Sequence, residues 1–234
     1  MMASASSVNN FSAMTEVAIR FEEVTFNYGN EPVFERLSLE IAAKKITVVL
    51  GKSGSGKSSL LKLINGLHKP SHGRILLTGR PIDYNNIHQV RLKIGYAVQQ
   101  IGLFPHLTVM ENISLPGVIA RWPKQAIRER AEALMKMVNL PLAYADKYPY
   151  QLSGGEQQRA GLCRAILLNP PVILLDEPFS SLDADTKSDI HRELLHLQQQ
   201  EPRCIVLVTH DEAESKELGD TRLYLEEGTL KRID

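Results

Sequence analysis

Ile46-Thr-Val-Val-Leu50-Gly51-Lys52-Ser53-Gly54-Ser55-Gly56-Lys57-Ser58-Ser59-Leu60-Leu-Lys-Leu-Ile64 decides the fold, because it reads without a break as a buried strand, a glycine-rich loop and a helix. Ile46–Leu50 is short, continuous and rich in β-branched residues, as a strand covered on both faces of a parallel sheet must be. Gly51, Gly54 and Gly56 let the backbone wrap a polyphosphate with its amide groups, and the helix predicted over Ser59–Ile64 turns its positive end toward the same point. Lys57 supplies a point charge and Ser58 a hydroxyl suited to magnesium, while Lys52, Ser53, Ser55 and Ser59 complete the loop around the phosphates. Strand before and helix after are the context that a P-loop requires.

Outward from this loop, Val172-Ile-Leu-Leu175 and Ile205-Val-Leu-Val208 repeat the continuous apolar pattern, each followed by a helical one. Such alternation predicts an α/β domain whose ligands bind at the carboxyl ends of the strands. The first of these strands ends in Asp176-Glu177, at the sheet edge where the P-loop also emerges. Asp176 is placed to hold magnesium through water, and Glu177 to reach the attacking water as its base or orienting group. Val17–Val24 and Leu37–Ile41 instead alternate apolar with polar residues and should form an antiparallel edge layer. Between Thr108 and Leu168 strand signals vanish. Helical periodicity is clearest over Gln125–Val138, with Ile127, Ala131, Leu134, Met135 and Val138 on one face. Thr108-Val-Met-Glu111 and Ser153-Gly-Gly-Glu156 fit the capping box and should mark helix starts. A short strand is expected at Thr229–Ile233, with nothing beyond it for a second domain.

The 234 residues and 43% hydrophobic content fill an ordinary globular core. Lys plus Arg and Asp plus Glu both total 27, so no global field would draw the protein onto nucleic acid. Cys163 and Cys204 lie far apart in apolar stretches, a pattern of two buried thiols in a reducing compartment. No apolar run approaches the roughly 18 to 20 residues of a membrane-spanning helix. Met1–Met14 is uncharged, lacks the features of a secretion signal and is expected to be a flexible tail, or sequence upstream of a start at Met14. His191 and His196 are five apart, off a shared helix face, which argues against a metal pair.

Nucleotide kinases and strand-exchange ATPases share the features so far; Leu152-Ser153-Gly154-Gly155-Glu156-Gln157-Gln158-Arg159 narrows the field. The Ser153 hydroxyl, the Gly154 and Gly155 amides and a helix start make a second anion site. The octet closely resembles the signature of the ATP-binding-cassette (ABC) family, and it precedes the Asp-Glu strand as in that family. Further matches follow in the family's order. Tyr28, in Asn27-Tyr-Gly29, resembles the aromatic that stacks on adenine. Gln99 resembles the hinge glutamine that senses magnesium and links the subdomains. Ser181-Leu182-Asp183 looks like the loop that crosses the dimer interface, and His210 like the switch histidine that contacts the terminal phosphate.

The resemblance covers Val17 to Asp234. It implies an ABC-type nucleotide-binding P-loop NTPase fold with an antiparallel β edge layer and an inserted α-helical subdomain. The expected division is a tail at 1–14, a nucleotide-binding core at 15–98 and 166–234, and a helical subdomain at 99–165. It also implies ATP and Mg2+ as cofactors, with Ser58, Gln99 and Asp176 around the metal and Glu177, His210 and Gln99 as the catalytic set. Each ATP is expected between the P-loop of one copy and Ser153, Gly154, Gly155, Glu156 and Asp183 of a second. The partners implied are a homodimer or a pseudo-dimer with a similar cassette, an integral-membrane permease on whose cytoplasmic side the protein works, and a solute-binding protein; no nucleic acid is implied. Ile94–Val109, Tyr148-Pro149 and Asn169-Pro-Pro171 look most like importers of osmoprotectants such as glycine betaine, choline or carnitine, and similar segments occur in amino-acid importers. Many osmoprotectant ATPases continue into a paired regulatory domain, and the chain is expected to stop without one. A soluble cassette ATPase acting on ribosomes or DNA is the alternative; its usual tandem cassettes, coiled coils or basic insertions are not seen. Leu103-Phe104-Pro105 is either internal packing or a surface for a short cytoplasmic helix of the permease.

Overall fold

Alternating residues at the start of the chain build a long hairpin, and the continuous apolar runs build the sheet beneath it. The computed structural model describes residues 16–98, 102–180 and 182–233. In chain order the elements are β1 (Val17–Tyr28), β2 (Glu31–Ala42), β3 (Ile46–Leu50), α1 (Lys57–Ile64), β4 (His72–Leu77), β5 (Arg80–Pro81), α2 (Ile87–Arg91) and β6 (Ile94–Ala97). They continue with α3 (Val109–Ile119), α4 (Lys124–Met137), α5 (Gly154–Ile166), β7 (Val172–Asp176), α6 (Ala184–Gln200), β8 (Cys204–Thr209), α7 (Glu212–Leu218), β9 (Thr221–Glu226) and β10 (Thr229–Ile233).

Two sheets result. An antiparallel layer has the order β2-β1-β4-β5, and a six-stranded sheet has the order β10-β9-β3-β8-β7-β6. In the latter, β9, β3, β8, β7 and β6 are successively parallel and β10 turns back antiparallel on β9. Period-two alternation explains why the central strands read as unbroken apolar runs. Val48, Ile173, Leu175, Ile205 and Leu207 point into a core shared with α3, α4, α5 and α6. Val49, Val172, Leu174, Val206 and Val208 point into a second core, shared with α1 and the antiparallel layer. There Leu60, Leu61, Leu63 and Ile64 are fully buried, each worth about 1.5–3 kcal/mol relative to exposure, so the helix behind the P-loop is firmly seated. Cys163 and Cys204 are free and buried, one in each core.

Register positions the site. Leu50 is opposite Thr209 and Asp176 opposite Val208, so the P-loop, the Asp-Glu pair and the segment bearing His210 leave the sheet at one edge. Between β6 and β7 the described residues form helices and no strand. The predicted face of α4 is buried throughout, including Val138 just past its end. Both predicted capping boxes are present, at Thr108 and Ser153. The helix expected from Ser59 begins earlier, at Lys57, because Gly56 already completes the turn into it.

Candidate active site

Gly56 precedes α1 with φ 103°, a backbone region other residues enter only under strain, and this turn brings the loop over the helix start. No side chain caps α1 and its first turn has no acidic residue, so its leading amides are left for an anion. Lys57 folds back beneath the loop. Its Nζ donates to the carbonyls of Gly51 at 2.7 Å and Lys52 at 2.9 Å, and lies 3.9 Å from Glu177 Oε1. Burial pushes the lysine's pKa down, while Glu177 and Asp176 pull it back up only in part. Ser55 Oγ is buried with no partner among the described residues.

Ser58 Oγ donates to Asp176 Oδ1 at 3.0 Å, and the Tyr96 hydroxyl donates to Oδ2 at 3.3 Å. Burial holds the Asp176 carboxyl above the ordinary carboxylate range against these two hydrogen bonds. Glu177 takes a left-handed conformation, φ 43°, directly after β7, with its amide donating to Val208 O at 3.0 Å. That kink turns its carboxylate back toward Lys57 and within 3.2 Å of His210 Nδ1.

These groups open onto a cleft of about 1000 Å3 lined by Tyr28, Lys52, Ser53, Gly54, Ser55, Gly56, Lys57, Ser58, Ser59, Glu177 and His210. Tyr28 ends β1 at its rim, with its hydroxyl 2.7 Å from His68 Nε2. Glu31, Pro32 and Val33 of β2, Tyr224, Leu225 and Glu226 at the end of β9, and the Glu227-Gly228 turn also line it; sequence reasoning missed them, since nothing in these segments marks a distant loop as their neighbour. A polyphosphate with a divalent cation fits this chemistry. The free helix amides, the orphaned Ser55 hydroxyl and the buried Lys57 address anionic oxygen, and Ser58 with Asp176 presents the oxygen donors that hard cations take.

Ser153, Gly154, Gly155 and Glu156 do not line this cleft. Ser153 caps α5: its Oγ accepts from the Glu156 amide at 3.3 Å, and its own amide donates to Glu156 Oε2 at 2.7 Å. Asp183 caps α6, with Oδ1 accepting from the Thr186 amide at 3.0 Å, which holds its carboxyl below the ordinary range. The signature helix is pinned to α6 by a partly buried pair, Arg159 Nε to Glu193 Oε2 at 3.0 Å. Gln99 and Ser181 lie outside the described residues. Phe104 is 43% exposed, its amide fixed by the buried Asn112 side chain at 2.7 Å. His191 faces Glu217 and the ring of Phe179.

Residues 34–180 match the ABC transporter family. The chain belongs to that family. The glycine betaine/carnitine/choline transport ATP-binding protein of Bacillus subtilis strain 168 is 41% identical over 216 residues, which is 92% of this chain and 57% of that protein. The glycine betaine uptake system ATP-binding protein of Escherichia coli K12 is 37% identical over 212 residues, 91% of this chain and 69% of that protein. Among solved structures, the dimeric ATP-binding cassette MJ0796, in a post-hydrolysis state bound to ADP and phosphate, superposes with a TM-score of 0.81 at 32% identity, covering 92% of this chain and 99% of that one. The cassette thus spans a little over half the length of curated relatives such as the Bacillus subtilis protein.

Proposed function

We propose that the chain is the ATP-binding and ATP-hydrolysing subunit of an ABC transporter, powering movement of a small polar solute through a separate membrane permease. The observation that carries this reading is the convergence of Lys57, Ser58, Glu177 and His210 on one cleft, with Asp176 bonded to Ser58 behind its lining, while the signature segment lies outside it. One copy holds two incomplete anion sites. Two copies packed head to tail, or one copy with a similar cassette, complete both.

In this reading Lys57 and the P-loop amides bind and orient the ATP phosphates, and Tyr28 takes the adenine. Ser58 and Asp176 would hold magnesium, joined by Gln99, and the metal when bound neutralises charge on the terminal phosphates. Glu177 accepts a proton from the attacking water. His210 steadies Glu177 through Nδ1 and keeps its other ring nitrogen for the terminal phosphoryl group. Ser153, Gly154, Gly155 and Asp183 of the second copy close the site, and Glu156 holds that helix start in shape. The core at 15–98 and 166–234 carries the P-loop, and the helical subdomain at 99–165 carries the signature and reaches the permease.

No described helix is long and apolar enough to cross a membrane. Likeness to transport ATP-binding proteins is what assigns the channel to a separate permease and the cassette to its cytoplasmic face. Relatives named for glycine betaine, carnitine and choline favour quaternary-amine osmoprotectants, delivered by a solute-binding protein. The balanced charge supports no nucleic-acid role. Purified protein is expected to release phosphate from ATP only with magnesium. Glu177→Gln should lose hydrolysis by a factor on the order of 100 to 10,000 while still binding ATP. Absence of magnesium-dependent turnover, or full turnover by the variant, would contradict the proposal.

A further inference from the structure

His210 is exposed, its side chain 62% accessible, so its place beside Glu177 is set by the turn beneath it. That turn is held by a polar network reaching across from α6. Lys187 Nζ lies 2.7 Å from Glu214 Oε1 and 3.1 Å from Asp211 Oδ2. The Glu214 side chain is 3% exposed, and its second oxygen accepts from Thr209 Oγ1 at 2.6 Å. Thr209 Oγ1 in turn accepts from the Asp211 amide at 3.1 Å, and Asp211 Oδ1 accepts from the amides that begin α7. The residues on both sides of His210 therefore belong to one network in which Lys187 supplies the positive charge.

A buried carboxylate without its cation is costly, and the group answers by taking a proton or turning toward water. Either response by Glu214 would release Thr209, and with it the backbone on which His210 stands. Burial works against the charge on Lys187, yet the hydrogen bonds to Glu214 and Asp211 outweigh it and keep the lysine's pKa above its ordinary value.

We infer that Lys187 is a positioning residue for ATP hydrolysis, which locks the Thr209–Asp211 turn through Glu214 and Asp211 and thereby holds His210 against Glu177. The inference rests on the hydrolytic reading of the cleft. The Lys187 ammonium bonds Glu214 and Asp211 and does not line the P-loop cleft, and its one link to Asp183 is a backbone hydrogen bond at 2.9 Å that a side-chain substitution keeps, so the side chain acts through His210. Loss of its charge therefore changes the chemical step and spares ATP binding.

The test compares wild type, Lys187→Met, Lys187→Arg, His210→Ala and the double variant His210→Ala/Lys187→Met. Lys187→Met should lower kcat about 10- to 100-fold, the cost of a displaced catalytic group, with KM for ATP unchanged to within about twofold. Lys187→Arg should recover most of the rate. In the His210→Ala background the second substitution should add less than about twofold, because both act on one step. In nucleotide-free protein, the His210 ring signal in a 1H–13C spectrum should move toward its unstructured position in Lys187→Met and stay put in Lys187→Arg. Should Lys187→Met fold poorly, Lys187→Gln carries the same comparisons. Independent, multiplying effects of the two substitutions would overturn the inference, as would an unmoved His210 signal or a fall in ATP affinity equal to the fall in rate. A wild type inactive with ATP would instead remove the hydrolytic reading, while the spectrum would still decide whether Lys187 holds His210.

Discussion

Glu201 gathers two guanidinium groups from distant parts of the chain. Arg130 on α4 donates to its two oxygens at 2.9 and 2.7 Å, and Arg203, just before β8, bonds it while also reaching Asn169 Oδ1 at 2.8 Å. The Arg130 hydrogen bonds, with help from Arg203 and against the effect of burial, bring the Glu201 carboxyl down from its usual value of 4.5 to about 2. A carboxyl with a depressed folded-state pKa binds fewer protons in the folded chain than in the unfolded one. Its stabilisation is therefore complete above 4.5 and is lost as pH falls toward 2. Glu201→Gln should melt below wild type at neutral pH, and the gap should shrink steadily below pH 4.5; a constant gap in thermal melts from pH 7 to 3.5 would show that the charge contributes nothing. Nothing in Gln198-Gln-Gln-Glu201-Pro202 singles this residue out in the sequence, where it reads as a frayed helix end before a proline. Its importance comes from which chains fold beside it, information that spacing does not carry. The site residues differ in this respect: Lys57, Asp176 and Glu177 are legible because each occupies a fixed place relative to a strand end.

At the level of elements, α3 and α5 begin with the same device, a hydroxyl and a glutamate three residues on that satisfy each other's amides. Replacing either hydroxyl residue by Ala should cost about 1 kcal/mol and lower the melting temperature by about 2–4 °C. The two should part company in function. Thr108→Ala should pair and hydrolyse ATP as wild type does, whereas Ser153→Ala should also lose ATP-driven pairing, because in the proposed pair of copies its hydroxyl and helix start face the second nucleotide. Equal pairing by both in sedimentation runs with ATP would reduce Ser153 to a cap. Helices of this kind were readable from the chain, as were β1, β3, β7, β8 and β10 and the second half of β2, whereas β4 and β9 were not anticipated. Nor was strand β6: Ile94-Gly-Tyr-Ala97 is four residues long, and its glycine is required because a Cβ at Gly95 would lie 2.2 Å from the Ala165 carbonyl on α5. Close approach to a helix distant in sequence leaves no local mark.

Across the whole molecule, one sheet separates two cores and presents the P-loop, Asp176-Glu177 and His210 along a single edge. Strand alternation made that arrangement predictable, since carboxyl ends of parallel strands share an edge. The outer wall of the cleft was not predictable, because Glu31 at the start of β2 and Tyr224–Gly228 at the end of β9 and the turn after it meet only after the antiparallel layer packs against β9 and β10. The same architecture leaves Ser153, Gly154 and Gly155 outside the cleft, and in the proposed function a second copy supplies its own to complete the nucleotide site. The most direct measurement is the solution mass of Glu177→Gln by light scattering, with magnesium and with or without ATP. The account predicts that ATP doubles the mass, and that adding Ser153→Ala to the same chain restores the single-copy value. A protein that binds ATP tightly yet keeps the single-copy mass, with its permease also supplied, would contradict it.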